Sequence, residues 1–530
     1  MLASDRQQLL LLFSPPWGAG VDLGGICRFW ARWQPEAAAI VYEGRPLTWR
    51  ELDRRTDAIA AGLAGRGVGP GDRLGILGQN SPGWCELVVA GFKLGAPVVP
   101  LNIRSSPDEL RFIVAHAGCA AVAVDADLAP RYDEIAAAAG PALRIRLEGA
   151  GGAGPTLDEL GATPPPAAPA VPPAEIAEDA PGIIAYTSGT TGRPKGATLT
   201  QRNLLALIRL LGAAEGWAPA SRTLLCVPLA FTGGIVNNFV ATYGAGGTLV
   251  LERTFEPARA LRLLVDERIT TMIGVPVMWQ GIAETEGFAG ADLGCLSTAI
   301  TGGAPVPEAL LRTYQAKGVL IRQAYGLTEA TALVALLPPA LAIEKPKAAG
   351  LPVLHTELRL VDEHGADRPA GETGEILVRG PQVMAGYWGD AAATAAAVVD
   401  GWLHTGDLGR LDGDGLLEVV DRKNDLIISG GLNIYPAEIE RVLAEFPGMV
   451  EAAVVGVPDR RWGEVPAAIV RGGPSIDEGE LVAHCRRLLA DYKTPRHVVV
   501  MDEPLPRSMS GKVLRRELRA KYQDLPTQER

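Results

Sequence analysis

The residues from Thr187 to Ala197 combine the side chains and the backbone freedom that phosphate binding needs. The stretch reads Thr-Ser-Gly-Thr-Thr-Gly-Arg-Pro-Lys-Gly-Ala. Glycine lets a backbone turn freely and lets an anion come close to its N–H groups. N–H groups and hydroxyls can surround phosphate oxygens, and a lysine can add a positive charge. The predicted phosphate-binding residues are Thr187, Ser188, Gly189, Thr190, Thr191, Gly192 and Lys195.

The flanking sequence predicts the elements that position this loop. Ile183 to Tyr186 is an apolar run that predicts a strand, and Thr200 is a candidate N-cap for a leucine-rich helix. The loop is therefore predicted to lie at a strand–loop–helix junction. It is not a Walker A loop, because that motif needs Gly directly before Lys and Ser or Thr directly after it. Here Pro194 precedes Lys195 and Gly196 follows it.

Two further stretches carry groups suited to a nucleotide and a metal ion. In Ala324-Tyr325-Gly326-Leu327-Thr328-Glu329, the tyrosine offers a flat aromatic face and the threonine offers a neutral donor for a phosphate. Glu329 is a hard oxygen ligand of the kind that Mg²⁺ prefers. In Trp402-Leu403-His404-Thr405-Gly406-Asp407, the terminal carboxylate can accept hydrogen bonds from both hydroxyls of a ribose.

The order of elements predicts an α/β fold, α+β overall. Strands alternate with helices up to about residue 340, which indicates parallel, helix-covered sheets. From about residue 350, short strands and turns predict a small β-barrel-like subdomain. We place a hinge near Asn424, between a large N-terminal domain (residues 1–422) with two helix-covered sheets and a small, mobile C-terminal α+β domain (residues 425–530).

Composition excludes several classes of function. The formal net charge of −11 argues against nucleic-acid binding, which needs a basic face. The six cysteines lack metal-ligand spacing, which favours a reduced, cytoplasmic setting. The apolar run Leu9 to Phe13 is too short for a signal peptide or a membrane span, and no later run reaches the ~18 apolar residues that a span needs. We therefore expect no integral membrane segment.

Together, these stretches resemble the signature motifs of the adenylate-forming superfamily, which includes acyl-CoA synthetases, adenylation domains of peptide synthetases and luciferases. The matching stretches follow the family's order from about residue 47 to residue 519. The resemblance implies that Lys512, Thr328 and Glu329 are catalytic, with Glu329 as the metal ligand. It also implies that ATP and AMP contact the loop residues above together with Gly302, Gly303, Ala304, Pro305, Ala324, Tyr325, Gly326, Leu327, Thr328, Asp407, Arg422 and Lys512.

The family's reaction implies ATP, Mg²⁺ and coenzyme A. A carboxylate attacks the α-phosphate of ATP and gives an acyl-adenylate and pyrophosphate, while Lys512 stabilises the anionic charge. The C-terminal domain then rotates about a hinge that matches Asn424, where members usually carry Asp or Lys, and a thiol displaces AMP. Ser429, Gly430, Gly431 and Leu432 resemble the segment whose glycines line the tunnel for the pantetheine arm of coenzyme A.

The resemblance also locates the acyl pocket. Phe231 stands where many CoA ligases have a gating histidine, which is a departure from the family pattern. Amino-acid-activating relatives place an Asp at the next position, where this chain has Thr232, and an unpaired ammonium in an apolar pocket is costly. We therefore expect a carboxylic acid with an uncharged tail: fatty, branched, alicyclic or aryl. The predicted lining is Phe231, Thr232, Gly233, Val236, Asn237, Gly302, Gly303, Tyr325, Ala330, Thr331, Leu333 and Val334.

Alternatives differ in the thiol or in the class of function. Coenzyme A is the expected thiol because the sequence has no carrier-protein domain, and a free-standing ligase that loads a carrier protein is the alternative enzyme. Luciferase-type oxygenation would need a luciferin-shaped pocket. A non-catalytic nucleotide sensor is expected to lack Lys512, Glu329 or the loop residues, all of which are present. Assembly as a homodimer is compatible with each enzymatic interpretation.

Overall fold

The computed structural model describes residues 22–139, 142–147, 153–162, 176–187, 193–303, 306–430, 432–473, 476–507 and 513–525. Two large sheets dominate the N-terminal part. The first has nine strands, in the spatial order Leu351–Pro352, Ala335–Leu336, Ile321–Tyr325, Thr298–Gly302, Thr271–Gly274, Arg222–Leu225, Thr248–Leu251, Ala38–Tyr42 and Arg45–Thr48. Its six central strands are parallel, as the alternation of strands and helices predicts.

The second sheet has seven strands and carries the predicted phosphate-binding loop. Its order is Gly386–Tyr387, Lys195–Thr200, Pro181–Thr187, Val98–Leu101, Arg73–Leu77, Cys119–Val124 and Leu143–Arg146. The last five strands are parallel and the first two are antiparallel to their neighbours. The short outer strand, Gly386–Tyr387, comes from a distant part of the chain.

Two antiparallel-rich sheets follow in the chain. One, with the strands Glu357–Val361, Thr373–Arg379, Val398–Val399, Trp402–Leu411 and Leu417–Arg422, forms the predicted small subdomain. The other belongs to the C-terminal region and contains Ile427–Ser429, Leu432–Ile434, Met449–Asp459, Gly463–Gly472 and His497–Val500. The mixed α/β fold with a small C-terminal α+β region is thus as predicted.

Helices cover the sheets and begin at the capping residues that the sequence indicates. Thr48 and Thr200 each accept a hydrogen bond from the backbone three residues later, and Ser81 does the same. The α-helices are Leu23–Trp33, Trp49–Ala64, Pro82–Leu94, Pro107–Ala117, Ala129–Ala139, Leu157–Gly161, Gln201–Glu215, Ala241–Ala245, Pro257–Asp266, Pro276–Ala283, Glu308–Gln315, Ala391–Ala397, Pro436–Ala444, Glu478–Leu488 and Arg515–Tyr522. Within the described residues, none of these helices combines the length and apolarity that crossing a bilayer requires.

The structure corrects the predicted strand–loop–helix junction. The loop after Pro181–Thr187 is followed first by a second strand, Lys195–Thr200, and only then by the helix Gln201–Glu215. The two strands pair antiparallel, with Thr187 opposite Lys195. The prediction was wrong because Gly196 to Leu199 alternates too briefly to be distinguished from a loop, and only cross-strand hydrogen bonds define it as a strand.

The two large sheets are tied together beside this hairpin. Asn80, which is buried, follows the strand Arg73–Leu77 of the second sheet. Its side-chain amide donates to the carbonyl oxygens of Val227 and Glu252 at 3.0 Å each and accepts from the N–H of Leu229 at 2.8 Å. Both carbonyls lie just beyond strands of the first sheet, so one side chain joins the carboxyl ends of the two sheets.

Candidate active site

The predicted site residues gather at the carboxyl ends of strands from both sheets, where open α/β sheets bind ligands. Thr187, Gly302 and Tyr325 are each the last residue of a strand. Glu329 follows on the 3₁₀ turn Thr328–Ala330. Gly303 has a left-handed φ of +81°, and a Cβ built on it would meet no atom within 4 Å, so this turn borders open space.

Glu329 is surrounded by neutral hydrogen-bond donors. Its Oε1 accepts from the Tyr387 hydroxyl at 3.0 Å and lies 3.3 Å from the Thr187 hydroxyl. Its backbone carbonyl accepts from the N–H of Met384 at 2.9 Å. Among the described residues, no lysine or arginine forms an ion pair with this carboxylate, so its negative charge remains available to a cation.

The second carboxylate, Asp407, has a compensated charge. It is 5% exposed, and its Oδ2 accepts from the Tyr325 hydroxyl at 2.7 Å. Its Oδ1 lies 3.1 Å from Nε of Arg422, directly across the strand pair Trp402–Leu411 and Leu417–Arg422. Burial, followed by the charge of Asp407, raises the pKa of Tyr325 far above its ordinary value. The phenol is therefore a permanent donor near neutral pH.

The predicted acyl pocket adjoins the phosphate region through a pair of hydroxyls. Thr232 and Thr328 lie 2.8 Å apart, Oγ1 to Oγ1. Thr232 directly precedes a π-helix, Gly233–Val240, an uncommon element that often marks functional sites. A Cβ on Gly233 would meet nothing within 4 Å, which leaves space beside Thr232.

The rest of the predicted lining is held in place by backbone contacts. Asn237 on the π-helix donates to the carbonyl of Ala332 at 3.2 Å, and the Thr331 hydroxyl donates to the carbonyl of Gln382 at 2.6 Å. Thr331 and Ala332 have left-handed φ values of +51° and +70°. The buried members are Val236, Tyr325, Ala330, Thr331, Leu333 and Val334, and Phe231, Thr232, Gly233 and Asn237 are half-buried.

A hydrogen bond that caps a helix spans the predicted hinge. Asp421, three residues before Asn424, accepts from the N–H of Ala437 at 2.8 Å, at the start of the helix Pro436–Ala444. On the other side of the hinge, Arg515 lies 3.3 Å from Asp425. This segment therefore joins the strand Leu417–Arg422 to the C-terminal sheet region through specific polar contacts.

In the segment predicted to meet coenzyme A, Gly430 and Leu432 are exposed and Ser429 is buried. The strands Ile427–Ser429 and Leu432–Ile434 flank Gly430, which has a left-handed φ of +58°. Its N–H donates to the carbonyl of Trp462 at 2.7 Å, and a Cβ would come within 2.7 Å of the Trp462 ring. Glycine is thus required at this position. Leu432 and Trp462 are both exposed.

Several predicted residues lie outside the described parts of the chain. These are Ser188, Gly189, Thr190, Thr191, Gly192, Ala304, Pro305, Gly431 and Lys512. The structure brings together Thr187, Lys195, Tyr325, Thr328, Glu329 and Asp407 around one edge. It also adds Tyr387, which sequence reasoning missed. The aromatic pair Tyr387-Trp388 after a glycine is the only local signal for this residue.

Comparisons with known proteins show which family the chain resembles. A sequence model of the AMP-binding enzyme family matches residues 27–388, and one of the AMP-binding enzyme C-terminal domain matches residues 438–512. A feruloyl-CoA synthase of Amycolatopsis is 42% identical over 93% of this chain and 97% of that protein. An indoleacetate–CoA ligase of Aromatoleum aromaticum is 37% identical over 92% and 95%.

A solved structure also matches the fold. The o-succinylbenzoate CoA synthetase of Bacillus subtilis, in complex with its acyl-adenylate intermediate, has a TM-score of 0.83 and 33% identity, and the match covers 95% of this chain and 99% of that one. The chain therefore belongs to the AMP-binding enzyme family, and it is an acid–thiol ligase of the AMP-forming acyl-CoA synthetase class.

Proposed function

We propose that this ligase activates an aryl or arylalkyl carboxylic acid and transfers the acyl group to coenzyme A. The observation that carries the uncharged tail of the acid is the neutral character of the predicted acyl pocket. Apart from the buried phenol of Tyr325, its described lining has no ionisable side chain, and Thr232, Thr328 and Asn237 supply neutral polar groups. The names of the relatives, feruloyl-CoA synthase and indoleacetate–CoA ligase, give further support.

In the first half-reaction, the nucleotide lies along the edge between the two carboxylates. The Tyr325 ring stacks against adenine, Asp407 accepts the ribose hydroxyls, and Thr187, Lys195 and Thr328 contact the phosphates. The acid's carboxylate approaches the α-phosphate beside the Thr232–Thr328 hydroxyl pair. Because most of the charge in this step develops on phosphate oxygens, positioned donors and cations supply most of the rate enhancement.

The oxygen atoms of Glu329 and of the hydroxyl groups beside it are ligands that fit a magnesium ion. A carboxylate and a hydroxyl oxygen are hard ligands, and Mg²⁺ on a nucleotide usually takes one or two carboxylates and completes its shell with phosphates and water. Within the described residues there is no cluster of three or more His, Cys, Asp or Glu side chains that could hold a metal ion. When bound, Mg²⁺ would neutralise phosphate charge next to Glu329.

The second half-reaction requires the C-terminal domain to turn about Asn424. Residues 1–422 and 425–530 form the two bodies in this proposal. Lys512 leaves the site after adenylation, and the turn with Ser429, Gly430, Gly431 and Leu432 takes its place beside the acyl-adenylate. The Asp421–Ala437 hydrogen bond spans Asn424, so in this proposal a turn about Asn424 strains or breaks it.

A substrate panel tests the proposal. AMP release from ATP is measured with phenylpropenoic, indole-acetic, benzoic, medium-chain fatty and amino acids, each with and without coenzyme A. We expect the highest kcat/KM for an aryl or arylalkyl acid, with AMP release that requires coenzyme A. Faster turnover of fatty or amino acids would overturn the acid class. Pyrophosphate release that coenzyme A does not convert to thioester would point to a carrier-protein thiol.

We also propose a cytoplasmic location and, as a finer point, a homodimer. The six unpaired cysteines, five of them buried, support a reducing compartment. Light scattering of the purified protein tests the dimer directly, because the masses of the monomer and the dimer differ twofold.

A further inference from the structure

Tyr387 lies between two charged residues with proposed roles in ATP chemistry. Its hydroxyl donates to Oε1 of Glu329 at 3.0 Å. On the face of the same ring, the ammonium of Lys195 lies 5.2 Å from the ring centroid, within cation–π range. One half-buried side chain thus contacts the proposed metal ligand with its polar tip and the proposed phosphate-binding lysine with its aromatic face.

The backbone around Tyr387 is held by hydrogen bonds on both sides. The strand Gly386–Tyr387 pairs with Thr198 and Ala197, directly after the phosphate-binding loop. The N–H of Tyr387 donates to the Thr394 hydroxyl at 2.9 Å, and the N–H of Trp388 donates to the carbonyl of Gly196 at 2.7 Å. These backbone contacts at the sheet edge fix the position of the Tyr387 ring relative to Lys195.

The direction of the hydrogen bond is fixed by electrostatics. A phenol ordinarily has a pKa of about 10, well above neutral pH. The phenol therefore stays protonated near neutral pH and acts only as a donor toward the carboxylate. A hydrogen bond to an ionised acceptor is stronger than a neutral one, so it restricts the rotation of the carboxylate effectively.

The ring also separates opposite charges. Lys195 and Glu329 form no ion pair with each other or with any other described residue, although both lie against the same side chain. A direct lysine–glutamate pair would satisfy both groups mutually and weaken the attraction of each for phosphate or metal. Lys195 lies over the ring face and Glu329 lies at the hydroxyl, so Tyr387 contacts both charges while the two groups form no ion pair with each other.

We propose that Tyr387 is a positioning residue for adenylation: its hydroxyl orients Glu329 for the magnesium of MgATP, and its ring keeps Lys195 apart from Glu329. The proposal rests on the roles of Glu329 and Lys195 given above. It predicts a defect confined to the half-reaction that uses MgATP. The second half-reaction starts from acyl-adenylate and needs neither the metal nor the pyrophosphate contacts, so it should be spared.

Two variants separate the hydroxyl from the ring. Tyr387→Phe keeps the aromatic ring and loses the hydrogen bond to Glu329. We expect Mn²⁺ to bind the enzyme–ATP complex of this variant roughly 10-fold more weakly. Electron paramagnetic resonance measures this binding without any acid present. Tyr387→Leu also loses the ring, and we expect a larger loss of ATP–pyrophosphate exchange than in the Phe variant. Thioester formation from supplied acyl-adenylate and coenzyme A should stay within about 2-fold of wild type in Tyr387→Phe, because that step needs no metal.

A matched control removes a similar bond elsewhere. Tyr314→Phe loses a buried hydrogen bond to the carbonyl of Trp279 (2.8 Å) in a remote core, so it reports the general cost of removing a tyrosine hydroxyl. Its Mn²⁺ affinity should match that of wild type. The proposal is overturned if Tyr387→Phe leaves Mn²⁺ affinity unchanged or slows both half-reactions equally. Because the Mn²⁺ experiment requires no acid, it distinguishes failure of this inference from failure of the acid assignment.

Discussion

Two carboxylates lie at opposite ends of the proposed nucleotide site, and each accepts a hydrogen bond from a tyrosine. Glu329 accepts from Tyr387 at 3.0 Å and Asp407 accepts from Tyr325 at 2.7 Å. Among the described residues, only Asp407 also has a cationic partner, Arg422, at 3.1 Å. The two ends therefore differ in whether a protein cation balances the charge of the carboxylate.

This difference matches the ligand that each end is proposed to bind. A ribose hydroxyl is neutral, so the carboxylate that binds it can have its charge balanced by an arginine and still accept hydrogen bonds through its remaining lone pairs. A metal ion must be attracted by net charge, so its ligand should lack a protein counter-ion. The cost of leaving Glu329 unpaired is limited by its partial exposure and by two hydroxyl donors.

The largest effect is expected from Glu329→Gln, which removes the uncompensated charge and keeps the shape of the side chain. ATP–pyrophosphate exchange should fall on the order of 100-fold or more, with a higher Mg²⁺ requirement, because a direct metal ligand is lost. The check is the exchange rate across a Mg²⁺ titration. Equal losses in adenylation and in thioester formation from supplied acyl-adenylate would contradict the assignment.

The matching change at the other end, Asp407→Asn, should affect a different parameter. We expect the KM for ATP to rise by roughly 10-fold or more, because a hydrogen-bonded carboxylate is replaced by a weaker acceptor beside Arg422. The Mg²⁺ requirement should remain that of wild type. Steady-state kinetics at several fixed Mg²⁺ concentrations separate the two outcomes, and a shifted Mg²⁺ dependence would remove the distinction between the two carboxylates.

A smaller effect is expected from Tyr325→Phe, which keeps the aromatic face and removes the hydroxyl. Asp407 would retain Arg422, so the KM for ATP should rise only about 3-fold, the cost of one hydrogen bond in a site with a second partner. Tyr387→Phe should have the greater effect because no cation among the described residues holds Glu329. Comparing the two variants by KM for ATP and Mg²⁺ dependence tests the asymmetry, and equal effects would argue against it.

The residue types of the site could be predicted from the sequence, but their neighbours could not. Glu329 and Asp407 stand in local motifs with chemistry that follows from the side chains themselves. Tyr387 contacts Glu329 across 58 residues of sequence and pairs with Ala197 across a sheet edge. Such contacts depend on strand register, which a two-residue strand does not encode locally.

The hairpin and the π-helix illustrate the same limit. Apolar and polar residues alternate in Lys195–Thr200, but the run is short. Only its pairing with Pro181–Thr187 distinguishes it from a turn-rich loop. The π-helix Gly233–Val240 is apolar and helical in pattern, and eight residues are too few to separate its period from that of an α-helix. The N-cap at Thr200 was predicted correctly because a cap depends on residues only three apart in the chain.

A third carboxylate, Asp421, extends the comparison to the hinge and carries the smallest predicted effect. It is buried and accepts from the N–H groups of Ala437 at 2.8 Å and Arg422 at 2.7 Å, and its hydrogen bonds include none from a cationic side chain. Burial raises its pKa to about 6, with Arg515 opposing the shift and Glu440 adding to it.

Because the folded protein binds the Asp421 proton more tightly than the unfolded chain does, this group's contribution to the free energy of unfolding falls as the pH rises. The contribution is lost between the pKa of Asp421 in the unfolded chain, about 4, and its pKa in the folded protein, about 6. Asp421→Asn keeps an acceptor for Ala437 but cannot ionise. Relative to wild type, it should therefore be more stable at pH 7.5 than at pH 4.5, measured by urea unfolding at both values. An unchanged difference between the two proteins would mean that the hinge carboxylate does not titrate between these two pH values.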